Sequence, residues 1–272
     1  MTKVRKNNVI IEDNKVIKKR NDRVIDLYNY LDTVGYDNYP KVIETNEEEQ
    51  ISEFIDNKDY HELNNGVEFI KTVSLLHYKT LKYKTVSKNK YKKIYNSILS
   101  NIEYLKEYYD NLIKEIEEEV FMSPSHYLFA RNYSVIISSL EYSKSTLKKW
   151  FKLVSNKTRE RVSIIHNNLS LDHFIKGDKN YLISYDNYLE DTFILDLYKF
   201  YKKEGYKLDF AYLLNEYNNN LSLLEDEKDL LYLLIAIPPK IEFINNEYGN
   251  CINIKSNFNY IYRTISVINE NK

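Results

Sequence analysis

The fold of this chain is decided by the stretch Ile165-His166-Asn167-Asn168-Leu169-Ser170-Leu171-Asp172-His173-Phe174-Ile175. The apolar pair Ile164-Ile165 predicts a buried strand that runs into a loop. Two further apolar runs, Phe174-Ile175 and Tyr181-Leu182-Ile183, flank a polar turn, and this pattern predicts a hairpin. The hairpin leads to Ser184-Tyr185-Asp186, and a predicted helix then contains Asp196-Leu197.

This order resembles the catalytic centre of the aminoglycoside phosphotransferase and choline kinase-like families. Those families have His-Gly-Asp-Leu-x-x-x-Asn, then a hairpin and an Ile-Asp-Phe/Trp-Asp/Glu segment, then Asp-Leu on a helix. The resemblance places Asn168 at the catalytic Asp, His173 at the metal-binding Asn and Ser184 at the second metal-binding Asp. It therefore implies a catalytic loop over residues 164–186 that is degenerate at these positions. A hairpin in an unrelated α/β protein is the competing interpretation.

The lost residues matter because phosphoryl transfer depends on positioning and on neutralising charge. One carboxylate orients the acceptor hydroxyl, while a second carboxylate and an amide oxygen hold magnesium against the phosphates. Asn168 cannot act as a base near neutral pH, and Ser184 offers one neutral oxygen to a cation that prefers carboxylates. His173 offers a nitrogen where an oxygen is needed. We therefore expect no ordinary turnover.

Two residues of the resemblance keep architectural roles. His166 matches the first His of the motif, which holds the loop by hydrogen bonding, and Asp196 matches the helix Asp that accepts backbone amides from the loop. The structural residues are thus retained while the chemical ones are lost. An active enzyme would instead have to recruit Asp172 and Asp186 as metal ligands, with His166 or His173 as the base.

The N-terminal part predicts a small kinase-like lobe over residues 1–57. It contains a hairpin (residues 9–19), a helix from about Asp22 to Val34 that Gly35 stops, and two strands (residues 39–45 and 50–55). The resemblance places the nucleotide hinge at Phe54 and Ile55. These residues would contact adenine if ATP binds.

The phosphate-binding parts of this lobe are weak. A glycine-rich loop lets backbone amides approach phosphates, but Gly35 is the first glycine of the chain and the hairpin turn has none. Lys18 or Lys19 matches the strand lysine that grips ATP, although both are equally interpreted as solvated lysines. The predicted helix has no Glu to pair with them, and Asp26 is the nearest substitute.

Residues 58–272 predict a mainly helical lobe. Apolar spacing indicates helices over residues 66–84, 91–120, 127–150, 197–204, 208–218, 225–237 and 254–268. The segment 91–120 has nearly heptad spacing, which is typical of a long lobe helix or of a coiled-coil arm that docks a partner. The fold class is therefore α+β, a protein-kinase-like two-lobed fold whose small lobe has an antiparallel sheet.

Composition excludes several other classes. The formal net charge of −1 disfavours nucleic-acid binding, and the lone Cys251 suits a reducing cytoplasm without disulfides. No apolar run approaches a membrane span or a signal peptide. The five histidines show no zinc-type spacing beside cysteines, and no Walker or dinucleotide motif occurs.

The resulting hypothesis is a cytoplasmic pseudokinase that binds a partner protein or a small ligand, in an oligomeric state that the sequence leaves open. No cofactor is expected: ATP would bind weakly and magnesium would add little. The alternatives are a divergent phosphotransferase that uses Asp172 and Asp186, and a helical interaction protein. The wider group also includes kinase-like spore-coat proteins of sporulating bacteria, so the resemblance admits a role in sporulation.

Overall fold

The structure of this chain is a computed structural model that describes residues 4–6, 9–57, 62–87 and 89–270. It contains two compact units, each assembled from segments that are distant in sequence. The first comprises Met1–Lys82, Arg161–Phe200 and Tyr212–Ser222, and the second comprises Tyr83–Glu160, Tyr201–Ala211 and Leu223–Lys272. The predicted lobe boundary between residues 57 and 58 falls inside the first unit and stays a prediction.

The first unit contains a five-stranded antiparallel sheet in the order β1-β2-β3-β5-β4. Its strands are β1 (Val4–Lys6), β2 (Val9–Glu12), β3 (Lys15–Lys19), β4 (Val42–Thr45) and β5 (Glu49–Glu53). The predicted hairpin and two later strands are confirmed, and β1 is an additional edge strand that the sequence did not indicate.

The turn between β2 and β3 explains how the hairpin forms without glycine. Glu12 pairs directly with Lys15, so the turn has only Asp13 and Asn14 at its tip. Their φ angles are 49° and 58°, the left-handed region that a two-residue hairpin turn requires and that Asp and Asn tolerate.

Helix α1 (Asp22–Thr33) follows β3. The Asn21 side chain accepts a hydrogen bond from the Val24 amide and caps the helix. Gly35, at φ 69°, ends it, so the predicted limits are confirmed to within a residue. The apolar positions of this helix are buried; they are Val24, Leu27 and Leu31.

Helix α2 (Glu62–Lys79) ends earlier than the predicted Lys84, and β6 (Lys82–Thr85) follows it. The Thr80 hydroxyl donates to Leu76 O (2.8 Å) and accepts from Ile164 N (3.0 Å). Thr80 therefore ends the helix by turning the chain toward a strand. The prediction of helix over Lys82–Lys84 was wrong because a side-chain contact with a distant strand is not visible in local spacing.

Four strands surround the loop at residues 166–173. β7 (Arg159–Ile165) runs into the loop, and β8 (Phe174–Lys176), β9 (Asn180–Leu182) and β10 (Leu189–Asp191) follow it. The predicted hairpin is the β8–β9 pair, in which Phe174 lies opposite Leu182. β10 pairs antiparallel with β7 and was not predicted. Helices α5 (Ile194–Lys203) and α6 (Phe210–Asn218) follow.

The second unit is built on long helices: α3 (Lys90–Glu117), α4 (Pro124–Val154), α7 (Glu225–Ala236) and α8 (Glu247–Glu270). Helix α8 starts seven residues before the predicted Ile254. The α+β class, with a small antiparallel sheet and a large helical part, is confirmed. Among the described residues, no helix combines the length and apolarity of a bilayer span.

Candidate functional site

Asp196 organises the loop that follows β7. It lies in the first turn of α5 and is fully buried. Its Oδ2 accepts a hydrogen bond from His166 N and its Oδ1 accepts one from Asn167 N, both at 2.7 Å. A buried carboxyl group is costly unless it is bonded in this way. The geometry is the one that the resemblance implies for this residue.

His77 completes this buried network and was not assigned a role from sequence. Its Nε2 lies 3.2 Å from Asp196 Oδ2 and its Nδ1 lies 2.8 Å from the Tyr217 hydroxyl. Because the carboxylate can only accept, Nε2 carries a proton and donates to Asp196. The sequence shows His77 at the end of an apolar helix, but no local signal identifies partners more than a hundred residues away.

His166 is fully buried and holds the far side of the loop. Its Nε2 donates to Ile183 O at 2.8 Å, and its ring lies 4.9 Å from the Tyr185 ring. Burial lowers the pKa of His166 and outweighs the opposing effects of Ile183 O and Asp196. The imidazole is therefore neutral at pH 7, and its unprotonated Nδ1 has no hydrogen-bond partner among the described residues.

Asn167 occupies the place of the motif's glycine. Its φ is 64°, in the left-handed region where Asn is tolerated better than most residues. Its Nδ2 donates to Asn187 O at 3.0 Å, and Lys199 Nζ donates to its Oδ1. The loop therefore keeps the glycine conformation without glycine. The enrichment of Asn at positive φ is the sequence signal that could have shown this.

Asn168 and His173, the two degenerate positions of the loop, are brought together. His173 Nδ1 donates to the Asn168 carbonyl at 2.8 Å, and both side chains are half-buried. Ser170 caps the short turn between them, since its side chain accepts from the Asp172 amide. One ring nitrogen of His173 is therefore committed to the loop backbone.

Ser184 and Asp186 lie beyond the hairpin. Ser184 is in the left-handed region, with φ 68° and ψ 49°, and is half-buried. Asp186 is exposed, and its Oδ1 accepts from Asn21 Nδ2 at 3.3 Å. Asp186, which an active enzyme would have to recruit as a metal ligand, is thus bonded to the residue that caps α1.

A second contact ties α1 to the same loop. Arg23 Nη2 donates to Tyr188 O at 2.5 Å, and its guanidinium lies 4.4 Å from the centre of the Tyr188 ring. The Tyr188 hydroxyl donates back to Arg23 O at 3.1 Å. The N-terminal turn of α1 and residues 186–188 therefore form one connected group.

Buried tyrosines fill the space behind Ser184. Tyr185 is fully buried, its hydroxyl lies 3.3 Å from that of Tyr36, and its ring packs edge-on against Tyr28. Tyr28 stacks on Tyr39 at a centroid distance of 4.2 Å. Burial raises the pKa of both Tyr36 and Tyr185, so they stay protonated hydrogen-bonding groups. The high tyrosine content of the sequence did not indicate which tyrosines would form this cluster.

Lys18 and Lys19, the predicted phosphate-binding candidates, point to opposite faces of the sheet because neighbouring strand residues alternate. Lys18 pairs with Gln50 and is half-buried on the face that also contains the buried Ser52. Lys19 pairs with Glu49 and is exposed on the other face. Both residues nevertheless border one open cavity. No ion pair joins Lys18 to Asp26 in the described part of the chain.

Phe54 and Ile55, the predicted hinge, directly follow β5 and are half-buried. Phe54 N donates to Asn14 O at 3.2 Å. A Cβ at Gly177, in the β8–β9 turn, would lie only 2.8 Å from the Ile55 side chain. Ile55 and the hairpin turn are thus in close contact. Lys18 pairs with Gln50, four strand residues before Phe54, so Lys18 and Phe54 are about 13 Å apart along the sheet.

The alternative metal ligands are not gathered into a metal centre. Asp172 and Asp186 are both exposed. Across residues 4–6, 9–57, 62–87 and 89–270, there is no group of at least three His, Cys, Asp or Glu residues arranged to hold a metal ion.

Comparison with known proteins agrees with the fold. The sequence matches no protein-family model and no curated protein. The structure is similar to an aminoglycoside phosphotransferase from Alicyclobacillus acidocaldarius, with a TM-score of 0.70 and 7% identity over 99% of this chain and 92% of that one. A spectinomycin phosphotransferase in its AMP-bound complex (TM-score 0.49, 13% identity, 94% and 90% coverage) also matches. So does a choline kinase from Streptococcus pneumoniae (TM-score 0.44, 13% identity, 96% and 88% coverage).

The likeness to the Alicyclobacillus enzyme establishes the fold. The chain has the protein-kinase-like fold of the aminoglycoside phosphotransferases, as the sequence predicted. At 7% identity the likeness extends to the fold alone. The roles of the site residues therefore have to be argued from their own chemistry.

Proposed function

We propose that this protein is a pseudokinase, which uses the inherited site to bind a ligand or partner without transferring a phosphoryl group. One observation supports this most strongly. The loop is held by Asp196 and His166 as a catalytic loop would be, yet Asn168, His173 and Ser184 offer no carboxylate. Phosphoryl transfer needs carboxylates for the base and for the metal.

The buried His166 does not replace the missing base, and His173 has only Nε2 left for that role. His166 is fully buried, its pKa is lowered by burial, and its proton is on the nitrogen bonded to Ile183 O. His173 uses Nδ1 for the Asn168 carbonyl. A general base must reach the proton that it abstracts, and a buried imidazole with no exposed atoms does not meet this requirement.

A divergent phosphotransferase is the second candidate, and Asp186 favours it. This carboxylate is exposed, and the single hydrogen bond from Asn21 is long at 3.3 Å. A magnesium–nucleotide complex could displace that bond and recruit Asp186. The two candidates predict opposite responses to magnesium, so they can be separated experimentally.

The decisive experiment is calorimetric titration with ATP, with and without magnesium. Weak binding that magnesium does not strengthen supports the pseudokinase. A tight signal that requires magnesium and disappears in Asp186→Ala, together with ADP formation in the presence of an aminoglycoside or choline, would contradict it. Asp172→Ala should abolish the same signal if the divergent phosphotransferase is correct, because that candidate recruits Asp172 as the second metal ligand.

If the parent protein shows no magnesium-dependent ATP binding, a variant with the family residues restored tests the reason. Asn168→Asp, His173→Asn and Ser184→Asp together return the family residues to the three positions. Because magnesium prefers oxygen ligands with negative charge, this variant should bind ATP in a magnesium-dependent way. If it binds ATP no better than the parent with or without magnesium, the nucleotide grip is lost elsewhere, and the ligand of the site is not a nucleotide.

The proposal also covers the class of ligand and the cellular location of the protein. The site would bind a partner protein or a small molecule rather than nucleic acid, in the cytoplasm. The overall charge of −1 and the lone Cys251 support this.

A further inference from the structure

The second unit presents apolar side chains to solvent at one end. We call this group the apolar tip; its members are Val120, Phe121, Met122, Tyr127, Ile244 and Tyr248. Val120 is 88% exposed and Phe121 is 90% exposed, and Tyr248 is 77% exposed. Single exposed apolar residues are ordinary, but a group of them at one place marks an interaction surface.

Contacts between the α3–α4 turn and the start of α8 bring the members of the tip together. Glu247 accepts from Ser125 N at 2.6 Å and from Ser125 Oγ at 2.8 Å, which joins the first turns of α4 and α8. The His126 ring packs against Phe243 at 4.8 Å. Residues 120–127 and 243–248 are therefore neighbours in space, and the apolar members of the tip that they contain are exposed.

The backbone beneath the tip is held in place. Ile244 N donates to Asn250 Oδ1 at 2.8 Å, and Asn250 Nδ2 donates to Ile244 O at 2.9 Å. On the other side, the Ser123 side chain caps α4 by accepting from His126 N at 3.2 Å. The exposed side chains are thus fixed to ordered helix ends, and rigid apolar anchors of this kind contribute most to protein interfaces.

The charge around the tip indicates what kind of partner fits. Residues 114–125 contain four Glu and one Lys, and residues 240–252 contain two Glu and one Lys. Lys240 pairs with Glu242 at 2.9 Å, so local neutralisation falls at Glu242 and both segments are acidic overall. Glu119 lies 2.7 Å from His126, and Glu247 is engaged by Ser125. Glu115, Glu117 and Glu118 are exposed and form no ion pair with other described residues.

We propose that the apolar tip is the docking surface for a basic amphipathic segment of another protein. Apolar side chains of the segment would cover Val120, Phe121 and Tyr248, and its Lys or Arg residues would face the Glu rim. Complementary charge of this kind selects the partner and speeds association. The same rim repels an anionic lipid surface, and two acidic tips repel each other, which argues against a membrane or a second copy. This inference does not depend on what the kinase-like site binds.

The test uses two synthetic helical peptides with the same Leu and Phe face, one with Lys and the other with Glu on its polar face. Fluorescence anisotropy should show binding of the Lys peptide only, and amide exchange should slow at residues 117–128 and 243–250. Val120→Ser/Phe121→Ser and Glu117→Lys/Glu118→Lys should each weaken binding by about tenfold or more. The matched controls, Tyr83→Ser and Glu141→Lys, change exposed residues elsewhere in the second unit and should leave binding unchanged.

Several outcomes overturn the proposal. Equal binding of both peptides would show that charge does not select the partner. Binding of the Lys peptide that the tip variants leave unchanged would place its site elsewhere. Sedimentation that shows tip-dependent self-association would make a second copy the occupant, and tip-dependent binding to phosphatidylserine vesicles would make it a membrane.

Discussion

Two groups of residues can be compared in the loop after β7. The buried residues that hold the loop, which we call its support, do so through hydrogen bonds, whereas the positions that correspond to catalytic residues in the resemblance, which we call the chemical positions, are only half-buried. Both oxygens of Asp196 are bonded to loop amides, and His77 and His166 each hold a partner across the fold. Asn168, His173 and Ser184 are half-buried and include no carboxylate. The comparison teaches that this loop is held by its buried support, and that the support does not require carboxylates at the three chemical positions.

The largest effect should come from breaking the support. Asp196→Ala leaves the amides of His166 and Asn167, and the Nε2 proton of His77, without an acceptor. Each unpaired buried group costs about 1–3 kcal/mol, so we expect a loss of unfolding free energy on the order of 3 kcal/mol. Urea unfolding followed by circular dichroism measures it.

Asp172→Ala is the control on the chemical side of the comparison. Asp172 is exposed on the same loop, so its removal should change the unfolding free energy by less than about 0.5 kcal/mol. Equal stability of the Asp196→Ala and Asp172→Ala variants would show that the network does not support the loop.

A pH series sharpens the comparison through His166. Burial lowers the pKa of His166 below its usual 6.5, so the folded protein resists protonation that the unfolded chain accepts. The stabilising contribution is therefore fully present above the unfolded pKa and is lost as pH falls from about 6.5 toward the folded pKa. The loss is at most about 1.4 kcal/mol per pH unit.

The measurement compares urea midpoints between about pH 5 and pH 7 in the parent and His166→Leu proteins. His166→Leu should be less stable at neutral pH and should lose stability less steeply on acidification. A His166→Leu slope identical to that of the parent would mean that His166 does not titrate in this range.

These residues also show what sequence could and could not reveal. Asp196 and His166 were identified because the family motif has fixed spacing along the chain, and their hydrogen bonds follow that expectation. His77 and the Tyr185 cluster were missed because their partners lie on other elements, which periodicity does not connect. The stability that each contributes stays a prediction until measured.

The fold follows the same rule. The β2–β3 hairpin, α1 and the β8–β9 hairpin are local patterns, and the sequence predicted them. β6, β10 and the first turns of α8 were missed, because each is fixed by contacts with distant segments. The opposite orientation of Lys18 and Lys19 could have been predicted, since strand alternation alone separates them.

A smaller loss of stability is expected from changes at Asn167, which can separate the contribution of its backbone conformation from that of its side-chain hydrogen bonds. Asn167 is left-handed, so Asn167→Ala adds a backbone penalty of about 1 kcal/mol to the loss of its contacts with Asn187 and Lys199. Asn167→Gly loses the same contacts but has no such penalty. Thermal melts should therefore rank the parent and the Gly variant above the Ala variant. If Ala and Gly melt together, the left-handed geometry is not what Asn167 supplies.

The smallest change in unfolding free energy should come from returning carboxylates to two of the chemical positions. Asn168→Asp and Ser184→Asp change half-buried side chains that do not belong to the Asp196 network, so together they should shift the unfolding free energy by no more than about 1 kcal/mol. Asp is also tolerated at the left-handed φ of Ser184. Urea unfolding without magnesium gives the baseline, and repeating it with magnesium shows whether the new carboxylates share a cation, since a bound ligand raises stability by mass action. A much larger destabilisation would mean that loop support and loop chemistry are coupled, and that the carboxylates could not return without further changes in the loop.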